Sequence, residues 1–129
     1  MKAYTDINQS KKLADILSIE SADMKWFTPA DNESEFIEEV SLINNKSEYT
    51  LFNDVVDWYD TPYIPCWSLA ALLDVLPEGI IENYYAPNLQ KENGKYSIAY
   101  GDDKLLCIAD NPIDACYAMI IKLHEQKLI

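Results

Sequence analysis

Asn93-Gly94-Lys95-Tyr96-Ser97-Ile98-Ala99-Tyr100-Gly101-Asp102-Asp103-Lys104-Leu105-Leu106-Cys107-Ile108-Ala109-Asp110-Asn111-Pro112-Ile113-Asp114-Ala115-Cys116 is the stretch on which the fold class turns. Asn-Gly is the strongest short hairpin signal, because both residues tolerate positive φ. Tyr96, Ile98 and Tyr100 then share one strand face. Gly101-Asp102-Asp103 turns the chain, and Leu105, Cys107 and Ala109 share a face of the next strand. Asn111 follows as an N-cap, Pro112 as a first helical residue with φ already set, and Asp114 as the third. A carboxylate there favours the positive end of a helix by about 0.3–1 kcal/mol. Ile113, Cys116, Tyr117, Ile120 and Leu123 form a wide apolar face, with Asp114, Lys122 and Glu125 directed outward. The pattern predicts a hairpin feeding a capped helix, Asn111 to about Gln126, that lies on the sheet.

Upstream, Ile80, Glu82 and Tyr84 alternate with Ile81, Asn83 and Tyr85, a strand pattern, and Pro87 suggests an edge position or a bulge. Cys66 to Leu76 has only Ser68 and Asp74 as polar members, which predicts a helix buried on several sides. Pro77 and Gly79 stop it. A first helix is expected from Thr5 or Asp6 to about Leu17, with Ile7, Leu13, Ala14 and Leu17 as a narrow apolar stripe. Ser18 to Thr28 alternates Ala22, Met24 and Trp26 against Asp23, Lys25 and Phe27, as a half-buried strand would, and Pro29 ends it. The expected class is α+β: a three- or four-stranded, mostly antiparallel sheet packed with about three helices. A chain of 129 residues is one domain's worth, so residues 1–129 are expected to form a single domain.

Residues 31–60 differ in character. Nine acids (Asp31, Glu33, Glu35, Glu38, Glu39, Glu48, Asp54, Asp57 and Asp60) face Lys46 alone, which gives this stretch −8 of the chain's −12. Phe36, Ile37 and Val40 permit a short helix, and Tyr49 to Val56 a strand. The stretch reads as an acidic insertion or long excursion, where function tends to reside.

Charge and residue choice exclude several functions. All ten basic residues are lysine, set against 22 acids. Arginine's planar fork makes the bidentate contacts that read phosphates and guanine edges, and lysine replaces it only as a point charge. An acidic chain without arginine is therefore not expected to bind nucleic acid directly, since phosphate contacts dominate that affinity. An anionic membrane surface is disfavoured for the same reason. The longest apolar run, Ala115 to Ile121, is far below the roughly 20 residues of a membrane span. Met1-Lys2-Ala3-Tyr4-Thr5-Asp6 lacks the apolar stretch of a signal peptide, and cytoplasmic residence is expected. Cys66, Cys107 and Cys116 form no C-x-x-C pair and read as small buried hydrophobes in a reducing compartment.

Catalytic and cofactor motifs are absent. Gly79, Gly94 and Gly101 are too far apart to cradle a phosphate. Ser68 sits in no nucleophile elbow. His124 is the sole histidine, which removes triads and zinc sites with several histidines. On a helical wheel it falls mid-stripe beside Ile113, Tyr117 and Ile120, where a last-turn histidine gains from the helix dipole. Asp54, Asp57 and Asp60 do not match the spacing of a calcium loop. No cofactor and no enzymatic activity are expected. The most suggestive feature is an aromatic series interleaved with acids. Tyr49, Phe52, Asp54, Asp57, Trp58, Tyr59, Asp60 and Tyr63 are the candidate binding residues, because aromatics anchor interfaces. Against this stands the core, which must take most of fifteen aromatics.

Three blocks carry a resemblance. They are Gln9-Ser10-Lys11-Lys12-Leu13-Ala14 with Glu20-Ser21-Ala22-Asp23-Met24; Thr61-Pro62-Tyr63-Ile64-Pro65-Cys66-Trp67-Ser68-Leu69-Ala70-Ala71-Leu72-Leu73; and Asp110-Asn111-Pro112-Ile113-Asp114-Ala115-Cys116-Tyr117-Ala118-Met119-Ile120-Ile121. Together they resemble a family of small uncharacterised proteins of gut Bacteroidales, often carried by prophages or mobile elements. The hairpin with its Asn-Pro-x-Asp-Ala helix start is also similar to the closing part of phage α-β-α sandwich domains. The resemblance transfers no activity, ligand or catalytic residue. The expected function is a non-enzymatic accessory or interaction domain that uses residues 31–67 against an unidentified protein partner; solubility is the plain explanation of the acidity, and a basic partner the sharper one. The alternative is a small-molecule-binding domain or enzyme with a pocket between helix 66–76 and the sheet, lined by Trp67, Tyr84 and Tyr96. Self-association into a homo-oligomer is a third reading.

Overall fold

A computed structural model describes residues 1–27, 39–42, 63–79, 86–101 and 105–129. The fold is α+β, with three helices and antiparallel sheets among the described residues. Among the described residues, six strands fall into two three-stranded sheets, ordered β2-β1-β3 and β4-β5-β6, where the sequence pattern suggested one sheet of three or four strands. Two compact units result. One comprises Asp6–Ser68; the other joins Met1–Thr5 to Leu69–Ile129.

In the Asp6–Ser68 unit, helix α1 (Ile7–Ala14) opens on a capping box. The Gln9 N–H donates to Asp6 Oδ1 at 2.8 Å, and the Asp6 N–H donates to Gln9 Oε1 at 3.1 Å. Two of the helix's orphan donors are satisfied reciprocally. Leu13 and Ser10 are its buried residues, and Ala14 of the expected stripe is exposed. The helix stops three residues before the expected Leu17. Ser18 restarts the chain as the N-cap of a 3₁₀ turn, Ile19–Ser21, its hydroxyl accepting from the Glu20 N–H at 3.3 Å. The strand expected from Ser18 therefore begins only at β1 (Met24–Phe27).

Strand β1 is central. Strand β2 (Glu39–Leu42) pairs with it antiparallel, Trp26 opposite Val40, and β3 (Tyr63–Cys66) flanks its other side, Trp26 opposite Ile64 and Met24 opposite Cys66. Val40 thus lies in a strand and not in the short helix its spacing with Phe36 and Ile37 permitted; those two residues, and the expected strand Tyr49 to Val56, lie outside the described residues. Strand β3 had no periodic signal, because Pro62 and Pro65 interrupt it. Pro65 is accommodated opposite Lys25 at the end of the described strand order, where a missing N–H leaves no ladder bond open. Helix α1 packs on β3.

In the other unit, helix α2 (Leu69–Val75) is shorter than the expected 66–76 run, since Cys66 closes β3. It is also one-sided. Ala71, Leu72 and the following Leu76 are buried, whereas Ala70, Leu73 and Asp74 are exposed. An all-apolar sequence does not by itself bury every face; the number of packing neighbours does. Residues 80–85, the expected strand with Tyr84, lie outside the described residues.

Strands β4 (Pro87–Glu92) and β5 (Lys95–Tyr100) form the expected hairpin, with Asn93 at φ 52° and Gly94 at φ 77°. Pro87 is the first residue of β4, which flanks the sheet. Strand β6 (Leu105–Ala109) pairs with β5 so that Ile98 faces Cys107 and Tyr100 faces Leu105, the shared faces the alternation predicted. Helix α3 (Pro112–Glu125) packs on β5, β6 and α2. Its cap is reciprocal: the Asp114 N–H donates to Asn111 Oδ1 at 2.8 Å, and Asn111 Nδ2 donates to Asp114 Oδ2 at 2.8 Å. Asp114 does not simply face water. It is half-buried, and Lys2 Nζ reaches its Oδ1 at 2.9 Å, tying the chain's first residues to the helix start.

The C-terminal end closes as a Schellman motif. Lys127 takes φ 58°, the Leu128 N–H donates to the Leu123 carbonyl at 2.8 Å, and the Lys127 N–H donates to the His124 carbonyl at 3.0 Å. His124 itself is exposed, contrary to its expected mid-stripe position. The buried face is centred on Cys116, Met119, Ile120 and Leu123, which rotates the last-turn histidine out to solvent.

Asn111→Ala should lower the unfolding free energy by about 1 kcal/mol, the usual worth of an N-cap. Asn111→Asp, which keeps an acceptor but repels Asp114, should fall between. Urea denaturation of the two variants checks the order.

Candidate functional site

The residues singled out for binding divide sharply. Tyr49, Phe52, Asp54, Asp57, Trp58, Tyr59 and Asp60 lie outside the described residues. Tyr63 is the first residue of β3, opposite Phe27. Of the three residues named for a small-molecule pocket, Tyr84 lies outside the described residues, while Trp67 and Tyr96 fall in different compact units. Trp67 is fully buried, with its indole N–H donated to Ser21 Oγ at 2.9 Å. Tyr96 is half-buried and carries Lys91 Nζ 5.6 Å from its ring centroid, a cation–π contact.

Among the described residues, two side-chain clusters remain in which reactive groups converge. The first closes the Asp6–Ser68 unit. Asp23 receives both the backbone N–H of Ser68 on Oδ1, at 2.9 Å, and the Ser68 hydroxyl on Oδ2. Ser21 Oγ donates to the Ser18 carbonyl at 2.6 Å while it accepts from Trp67. The Ser68 proton is already donated to Asp23, and both carboxylate oxygens are held by the same residue. The arrangement is a clamp that fixes the 67–68 segment to the 21–23 segment. No motif in the sequence announced it, because its partners are 45 residues apart.

The second cluster lies under α3. Cys116 is fully buried on the helix, Cys107 half-buried on β6, and Tyr100 nearly buried at the end of β5. Burial first, and the charge of a Cys107 thiolate second, raise the Cys116 thiol from 9.0 to about 11. Burial also raises Cys107, against the opposing pull of the Lys122 ammonium. The Tyr100 phenol is pushed up by burial first and by Cys116 second, and its hydroxyl donates to the Pro77 carbonyl at 2.7 Å. Thiols held protonated are poor nucleophiles and poor metal ligands. This cluster acts as apolar packing with one anchoring phenol.

Among the described residues, no buried side-chain nitrogen or oxygen lacks a hydrogen-bond partner, and no group of three His, Cys, Asp or Glu side chains converges as a metal site would require. No described helix is long and apolar enough to cross a membrane. The chain matches no protein-family model, no curated protein and no solved structure.

Two outcomes follow from these geometries. Asp23→Ala, which leaves the Ser68 N–H and hydroxyl without their acceptor, should destabilise the protein by about 2 kcal/mol in urea titration. Alkaline pH should also destabilise it. A thiol whose pKa is higher folded than unfolded stabilises the fold below about 9.0, and that contribution is lost as pH rises toward about 11. Cys116→Ala should show a shallower fall in melting temperature across that window than the unmodified chain.

Proposed function

We propose that this protein is a non-enzymatic accessory domain that recognises a basic protein partner through the acidic, aromatic stretch of residues 31–67. The observation that carries the reading is charge. The chain has no arginine, a net charge of −12, and −8 of it between residues 31 and 60. A field of one sign on a short stretch steers oppositely charged partners and disfavours phosphate backbones and anionic bilayers. Tyr49, Phe52, Trp58, Tyr59 and Tyr63 supply the aromatic area that anchors such contacts, and Asp54, Asp57 and Asp60 supply the charge beside them. The commitment of Ser68, Asp23, Cys107 and Cys116 to packing and clamping supports a binding role over a catalytic one.

The test is a charge reversal. Asp54→Lys, Asp57→Lys and Asp60→Lys combined should release the partners retained by the unmodified chain from host lysate, and rising salt should release them as well. Identical retention by the two proteins in low and high salt would sink the surface assignment. Circular dichroism of the variant separates loss of binding from loss of fold.

A further inference from the structure

Asn93 is the only one of the nine asparagines that is followed by glycine. It occupies the tip of the β4–β5 hairpin, and every residue from Glu92 to Lys95 is exposed. No hydrogen bond holds its carboxamide, and a Cβ built on Gly94 would meet nothing within 4 Å. Two things follow. Asn93 is exposed, so its side-chain carbonyl carbon is reached by solvent, and the space a Gly94 side chain would fill is open, so no side-chain bulk of the following residue stands beside the attacking nitrogen. Ring closure needs rotation of Asn93 about ψ, at a tip where Glu92 to Lys95 are all exposed. Asn111, by contrast, precedes a proline that has no N–H to lose, and its carboxamide is held by Asp114 on both sides.

We propose that Asn93 is a site of spontaneous covalent modification, in which the hairpin tip converts to aspartate and isoaspartate through a succinimide. The Gly94 amide gives its proton to solvent base, and its nitrogen bonds to Asn93 Cγ. The Cγ–Nδ2 bond breaks, and the leaving nitrogen departs as ammonia with a proton from water. Water then opens the five-membered imide. Breaking the bond from the Gly94 nitrogen to Cγ yields aspartate. Breaking the bond from that nitrogen to the backbone carbonyl carbon yields isoaspartate. The net change is hydrolysis of one amide, with water consumed, ammonia released and no electron transferred.

The two products differ in consequence. Asp-Gly is itself a turn former of the same type, so the aspartate product keeps the hairpin. Isoaspartate routes the main chain through Cβ and adds an atom to a two-residue turn. The pairs Glu92↔Lys95, Lys91↔Tyr96 and Leu89↔Ile98 cannot all be kept with that insertion. Ile98 is fully buried, so a slip reaches the core beneath α3. The site is a slow, irreversible timer on the sheet.

The experiment is incubation of the full-length protein in mildly alkaline buffer, followed by peptide mapping and isoaspartyl methyltransferase labelling over time. The expected result is a gain of one mass unit at Asn93 before any other asparagine, with isoaspartate among the products. Asn93 that converts no faster than the other asparagines, or not at all, overturns the assignment. Conversion to aspartate alone overturns the succinimide route. Aged protein should also melt below an Asn93→Asp variant, which carries the same charge without the extra backbone atom; equal melting would overturn the register consequence.

Discussion

Burial of one face of α3 is the constraint on which the larger unit depends. Pro112, Ile113, Ala115, Cys116, Met119, Ile120 and Leu123 are all buried, and the surface that covers them comes from β5, β6 and α2. A helix of fourteen residues is marginal alone in water, because nucleation is costly and propagation gains little per residue. Removing each large aliphatic side chain from water contributes about 1.5–3 kcal/mol, which is what makes the helix persist. The helix in turn makes the sheet viable. Ile98, Tyr100 and Cys107 have their shared face covered only because α3 lies across it. The phenol of Tyr100, bonded to the Pro77 carbonyl, then links β5 to the chain leaving α2.

The Asp6–Ser68 unit is held differently. Its described apolar core is small, centred on Leu13, Ala22, Cys66 and Trp67, and polar contacts carry much of the specification. Asp23 grips Ser68 twice, and Trp67 is positioned by the hydrogen bond to Ser21. A buried indole that finds an acceptor costs little, whereas one without it would lose a full hydrogen bond in a dry environment. Asp23, Ser68, Ser21 and Trp67 thus close the fold of this unit through their hydrogen bonds.

Legibility from the sequence varied by element, and the reason is locality. The Asn93-Gly94 turn, the Asn111 cap, the Pro112 start and the two strand faces were readable because each depends on neighbours within a few residues. The start of α1, expected at Thr5 or Asp6 and capped by Asp6, belongs to the same class. By contrast, β3 was hidden by its prolines, α2 looked buried all round, and His124 looked like part of the apolar stripe. Each of those readings depended on what packs nearby, which periodicity does not report. Of the candidate binding set only Tyr63 falls among described residues, at the head of β3. The Asp23–Ser68 clamp had no sequence signal at all, since nothing local relates residues 45 positions apart.

The sequence by itself determined the hairpin, the capped helix that follows it, the α+β class and the acidic charge that disfavours nucleic acid. All of these arise from backbone stereochemistry, short-range hydrogen bonding or composition, and none needs a distant partner. Tertiary structure alone decided that the strands divide between two sheets, that Lys2 joins Asp114 at the head of α3, and that Asp23 takes both groups of Ser68. It also decided how deeply Cys116 and Tyr100 are buried, and hence that their acidities are suppressed. Those features depend on which surfaces exclude water from one another, and that is a property of the packed chain and not of any segment of it.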